Sequence, residues 1–274
     1  MPAWAPVDYR PDIDGLRAVA ILLTLGFHAF PEWMPSGYVG VDVFFVISGY
    51  VITRQLHREW RVGRFRLAHF YARRIRRIFP AAALVLAVVL AWGALSLYPD
   101  EYQRLGRHAA AAAGFVANWA LWSDVGYFDT AAQTKHLLHF WSLAVEEQFY
   151  LLWPCLALAW LRWPRVVVPG TLLLALASLL AFLVTGQQQP ALAFYAAHTR
   201  FWELAVGCAL ALRGGTAPAG LLHQAPPGPR ESRVGPRADW TLLDLGALMM
   251  ALWPTGPATE GAGAGAGSLA SLQA

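Results

Sequence analysis

The feature that most limits what this chain can become is a series of long apolar stretches with ionisable side chains inside them. A helix needs about 18 or more predominantly apolar residues to cross a hydrocarbon core of roughly 30 Å, and several windows qualify. Of 274 residues, 57% are hydrophobic and 14% charged, whereas soluble domains carry about 25% charged residues. A water-soluble globular class is therefore excluded. The expectation is an all-α, polytopic transmembrane helical bundle embedded in a lipid bilayer.

Six spans are expected, at about residues 13–30, 38–56, 78–98, 137–161, 166–184 and 194–212. A partial seventh begins at Thr241 and meets Pro254. The Ala-rich stretch 104–122 is expected to be re-entrant or interfacial, because charge at its flanks does not fit one full crossing. The expected organisation is a membrane domain over 1–213, a Pro/Gly/Arg-rich cytoplasmic loop over 214–239, a partial span over 240–254 and a low-complexity tail over 255–274.

Charge distribution sets the orientation. Nine Arg lie between Arg54 and Arg77, where Glu59 is the only acid. Between two apolar spans such a run marks a cytoplasmic loop rather than a nucleic-acid surface, so no nucleic acid is expected as a partner. Arg162, Arg165 and Arg213 then also fall inside, and the N-terminus is cytoplasmic. That N-terminus is acidic (Asp8, Asp12, Asp14) and lacks a cleavage pattern, so the first apolar run is expected to stay as a signal anchor. Cys155 and Cys208 sit in apolar stretches, which argues against a disulfide framework.

Arg17 and His28 are 11 residues apart, which places them within about 20° on one helix face and roughly 16 Å apart in rise. Asp14 can pair with Arg17 across one turn. Intramembrane charges usually face a cavity and work, although Arg17 can also snorkel to the cytoplasmic interface. In the second span Asp42, Gly49 and Thr53 share a face, flanked by Ser48 and Tyr50. Gly40 and Gly49 also permit plain close packing. Arg73 with Arg76, and Arg74 with Arg77, repeat at i,i+3; guanidinium forks suit phosphate oxygens, and topology or anionic lipid explains them too. His139 and Glu146 lie two turns apart on one face, near Trp141. Adjacent Glu146 and Glu147 are costly in lipid unless paired or protonated. No compact metal-ligand set is evident. Arg200 and Glu203 either pair with each other or join the site.

These segments together resemble the acyltransferase 3 family of membrane O-acyltransferases. The resemblance runs through Tyr9–Ala20, Gly40–Tyr50, Arg73–Pro80, His139–Leu151 and Thr199–Gly207, in order. It implies a bacterial inner-membrane, multi-pass enzyme that moves an acyl group, usually acetyl, from acyl-CoA to an extracytoplasmic glycan hydroxyl or a lipid-linked sugar. The family's Arg-and-His pair in the first span corresponds to Arg17 and His28, and its cytoplasmic Arg pair to Arg73/Arg76 and Arg74/Arg77. On this reading His28 is the general base, with Arg17, Asp14, Glu146 and Glu147 as further catalytic candidates. Arg73, Arg74, Arg76 and Arg77 hold the donor's phosphates; Asp42, Ser48, Tyr50, His139 and Trp141 contact substrate. Acetyl-CoA is a substrate, and no resident cofactor or metal is implied. Family membrane domains carry more spans than six, so the chain is expected to be truncated at its C-terminus. A transporter or flippase of a glycan or acyl intermediate, and a non-catalytic remnant, are the alternatives. External segments 31–37, 98–136 and 185–198 supply Trp and Tyr for sugar stacking or for an ordinary membrane belt.

Overall fold

A computed structural model describes residues 10–125, 135–161 and 163–214. Asp8, the loop at Gly126, Asp129 and Thr130, Arg162, and the expected loop, partial span and tail beyond residue 214 lie outside the described residues. Every regular element described is helical: α1 (Pro11–Ala29), α2 (Val39–Arg61), α3 (Leu67–Ser96), α4 (Pro99–Ala113), α5 (Ala117–Ser123), α6 (Phe140–Leu161), α7 (Pro164–Gln188), α8 (Pro190–Tyr195) and α9 (Ala197–Gly214). Proline at the first helical position opens α1, α4, α7 and α8, where its missing N–H costs nothing. Acids follow in the first turn of α1 (Asp12, Asp14) and α4 (Asp100, Glu101), complementing the helix dipole.

Among the described residues, three helices are long and apolar enough to cross a membrane: α2, α3 and the 165–188 part of α7. Leu84, Val88 and Leu95 of α3 and Leu173, Leu180 and Val184 of α7 turn outward, as side chains solvated by lipid do. α1 and α9 are interrupted by charge, with Asp12, Asp14 and Arg17 on the first and Arg200, Glu203 and Arg213 on the second. This is a helical membrane protein.

Two expected boundaries move. The basic stretch and the third span form one uninterrupted helix, α3, running through Pro80. The break falls earlier, at Gly63, whose φ of +65° is a conformation that only glycine adopts freely. The expected span at 194–212 is broken at Ala196, whose extended ψ of 132° separates α8 from α9. The Thr199 hydroxyl donates to Ala193 O (2.8 Å) and Ala196 O (2.6 Å), satisfying carbonyls that the break releases.

The 104–122 stretch is not one rod. α4 is 15 residues long, about 22 Å and short of a roughly 30 Å core. α4 and α5 meet at Phe115, a bulky residue at φ +53°, which costs on the order of 1–2 kcal/mol. The Gln148 amide holds this joint by donating to Phe115 O (2.8 Å) and to Asn118 Oδ1 (2.9 Å). Buried Asn118 donates in turn to Tyr195 O (3.1 Å).

The best-packed contact is the α2–α9 crossing. A Cβ on Gly49 would collide with the Leu204 backbone, and one on Gly207 with the backbone of Val46 and Tyr50. Two helices can approach this closely only where both lack side chains. The α2 face expected from spacing is real: Asp42 and Gly49 meet α9, while Thr53 accepts from Trp153 Nε1 of α6 (2.8 Å). Two turns along from the glycines, Arg200 binds Asp42 at 2.5 Å and Glu203 at 3.0 Å. All three are at most 3% exposed.

Gly207→Leu is expected to cost about 1–3 kcal/mol through overpacking, read as a lower thermal midpoint in detergent. Arg200→Ala strands two buried carboxylates and should cost about 3–5 kcal/mol. Asp42→Asn should cost clearly less, because Glu203 still neutralises Arg200. Equal losses for Arg200→Ala and Asp42→Asn in the same melts would contradict this account of the cluster.

Candidate active site

The C-terminal end of α1, the N-terminal ends of α2 and α6, and α8 enclose a cavity of about 340 Å³. Thr24, Phe27 and His28 come from α1; Tyr38, Val41, Phe44 and Phe45 from the start of α2; Leu138, His139, Trp141, Ser142, Leu143 and Glu146 from the start of α6 and the turn before it; Phe194 comes from α8. Apolar side chains dominate the wall, so its few polar groups act in a low dielectric where their interactions are strong.

His28 and His139 face each other there, ring centroids 4.7 Å apart and nearly perpendicular. Phe27 packs edge-on against both His28 (5.2 Å) and Tyr38 (5.8 Å). Glu146 lies two turns deeper than His139 along α6, on the same face. It accepts a short hydrogen bond from Ser48 Oγ and a longer one from Tyr150 OH at 3.4 Å. Arg74 lies 3.4 Å above the Tyr150 ring and 4.0 Å from Glu147. Contacts thus run from Arg74 of α3 through Tyr150 to Glu146, which lines the same cavity as the paired imidazoles.

The structure brings His28, His139, Trp141 and Glu146 together on one cavity. Arg17 is paired with Asp14 at 3.4 Å, as its spacing predicted, and does not line the wall. The expected substrate contacts on α2 do not line the cavity: Asp42 turns to Arg200, Ser48 to Glu146, and Tyr50 OH accepts from Arg10 Nη1 (3.3 Å). The four arginines of α3 do not form one unit. Arg73 binds Glu59 (2.7 and 3.0 Å) and Arg74 turns inward, while Arg76 and Arg77 are exposed. Four arginines within five residues must point round most of a helix circumference, so their neighbours divide them.

Sequence reasoning missed the aromatic wall of Phe44, Phe45 and Phe194. Among so many apolar residues, nothing local distinguishes a cavity wall from core or lipid face. It also left open the role of Arg200, whose partner Asp42 lies 158 residues away. Among the described residues, no three His, Cys, Asp or Glu converge as metal ligands.

Comparison with known proteins bears on this arrangement. Residues 10–219 match a family profile described as an acyltransferase domain. The chain is similar to the peptidoglycan O-acetyltransferase OatA of Listeria monocytogenes, 37% identical over 210 residues, which are 74% of this chain and 34% of that protein. It is similar to the O-acetyltransferase OatA of Staphylococcus aureus, 37% identical over 211 residues and again 74% and 34% of the two chains. The chain spans about a third of the length of these curated relatives. No solved structure matches it. Because the matched region begins at the first described residue and runs past the end of α9, the chain belongs to the acyltransferase 3 family.

Proposed function

We propose that this chain is the membrane-embedded part of an O-acyltransferase that moves an acetyl group from cytoplasmic acetyl-CoA to a hydroxyl of a cell-envelope glycan. Peptidoglycan is the favoured acceptor, by likeness to the relatives. The protein sits in the plasma membrane with six spans and a cytoplasmic N-terminus, the orientation that the Arg54–Arg77 run favours. The observation that carries the reading is the shared cavity of His28, His139 and Glu146, with Arg74 over the Tyr150 ring whose hydroxyl donates to Glu146. Donor and acceptor approach from opposite sides of the membrane, and these residues bridge the two.

The exposed guanidinium groups of Arg76 and Arg77 hold the donor's phosphates. Its thin pantetheine arm passes Arg74 and Glu147 to bring the thioester into the cavity. His28 removes the proton from the acceptor hydroxyl as the oxygen attacks the thioester carbonyl. The tetrahedral intermediate collapses, the C–S bond breaks, and His28 returns the proton to the departing thiolate. An imidazole suits both halves because its ordinary range lies near neutrality. Glu146, fixed by Ser48 and Tyr150, and Glu147 balance the positive charge of Arg17 and Arg74 along the donor path. Arg17, oriented by Asp14, holds the donor arm on its way to the cavity.

His28→Ala should lower acetyl transfer by at least about 100-fold, the usual contribution of a positioned base, with the protein still folded in the membrane. Release of acetate from purified glycan after incubation with the variant checks it. Wild-type rates would sink the base assignment.

A further inference from the structure

Acyl transfer through His28 puts a proton on its ring and takes it off again. A lone imidazole can carry its N–H on either nitrogen, and a base works best when a further group holds the nitrogen away from the substrate. A carboxylate often does this, but the carboxylates nearby are engaged elsewhere. Asp42 is held by Arg200, Glu146 by Ser48 and Tyr150, and Glu147 faces Arg74 at 4.0 Å. Among the described residues, the titratable group in contact with the His28 ring is His139, with centroids 4.7 Å apart and planes at 78°. Phe27 packs edge-on against the same ring at 5.2 Å. The other titratable groups on the cavity are Tyr38 of α2 and Glu146 of α6.

The two imidazoles stand at opposite kinds of helix end. His28 is in the last turn of α1, where free carbonyls favour a positive charge. His139 immediately precedes α6, whose first N–H groups disfavour one. Two cations in contact within an apolar cavity would also repel strongly. The pair therefore holds one excess proton at a time, on His28, and His139 keeps a lone pair on one nitrogen. Backbone bonds fix the turn that carries His139. Leu138 N–H donates to Lys135 O (2.9 Å), Phe140 N–H to Leu137 O (3.1 Å) and Trp141 N–H to Leu138 O (3.1 Å). Ser142 Oγ donates to His139 O (3.2 Å).

We propose that His139 is the positioning residue of the base. Neutral itself, it accepts a hydrogen bond from the far N–H of His28, so that the near nitrogen of His28 is unprotonated and meets the acceptor hydroxyl. The rings already touch, and rotation of one brings the two nitrogens into hydrogen-bond reach, as catalytic hydrogen bonds tighten when substrate enters. When the hydroxyl proton moves to His28, that bond becomes charge-assisted and strengthens. When the proton leaves with the thiol, both rings are neutral again. The inference rests on the acyl-transfer reading and adds a second histidine to its machinery.

The test uses the chain in proteoliposomes, with acetyl-CoA as donor and a soluble peptidoglycan fragment as acceptor. His139→Phe keeps a ring and loses the nitrogen; His139→Gln loses the ring and keeps an acceptor oxygen. His139→Phe should lower kcat about 10- to 100-fold, the worth of a hydrogen bond to a charged group, with the acetyl-CoA KM unchanged. His139→Gln should recover most of that loss. In a His28→Ala background His139→Phe should remove little more, because it acts through His28. Nitrogen-15 spectra of labelled histidine read the tautomer without any turnover, the His28 signal being assigned with His28→Ala. One tautomer is expected in wild type and His139→Gln, and a mixture in His139→Phe. Melts in detergent establish folding; should His139→Phe not fold, His139→Leu set against His139→Gln gives the same contrast.

A His139→Phe variant as fast as wild type overturns the proposal. So does a tautomer mixture in wild type, or a loss in His139→Gln as deep as in His139→Phe. If His28 holds one tautomer that His139→Phe scrambles, and no acetyl is ever transferred, the pairing stands and the transfer reading fails.

Discussion

A cation that cannot reach water organises the centre of this bundle. Arg200 is 1% exposed and must gather all its compensation from the protein. It does so by drawing Asp42 from α2 and Glu203 from its own helix, and by standing among four aromatic rings. Lipid offers a charge no alternative partner, so the helices that supply those groups are tied to one register. Desolvating three charges contributes little net stability and can subtract from it. What it gives is specificity: any slip of α9 along α2 would separate opposite charges in a medium where separation is expensive.

The same logic runs through the smaller polar contacts. Gln148 and Asn118 link the α4–α5 joint to α6 and α8, and Trp153 links α6 to Thr53 of α2. Each joins two or three elements whose apolar surfaces alone would slide over one another. Apolar burial explains that the helices associate; these few directional bonds decide how.

Much of this was written locally. The shared face of Asp42, Gly49 and Thr53 follows from spacing, as does the Asp14–Arg17 pair, because a helix fixes neighbours within two turns. The meeting of His28 with His139 and Glu146 was suggested only by each being out of place in an apolar run. Their convergence depends on how α1 and α6 pack, which spacing within one helix cannot carry. The arginines of α3 show the limit most clearly. Their i,i+3 repeats are evident, yet which of them meets Glu59, Glu147 or solvent is set by helices on either side. Breaks were hard for a different reason. The third span was expected to begin at 78, yet α3 begins at Leu67 and runs through Pro80, whereas Ala196 looks helical and ends α8; the carbonyls freed there are met by a Thr199 side chain three residues later.

The glycine crossing has a bearing on how loss of function in such a protein is read. Gly49 and Gly207 do not line the cavity, and they carry no group able to move a proton. Yet α2 carries part of the cavity wall, and α8, which adds Phe194, leads directly into α9. A survey that ranks positions by inactivation on replacement would therefore score these glycines beside the imidazoles. Inactivation alone confuses the hinge pin with the blade, and only amounts of folded protein, measured alongside turnover, separate them.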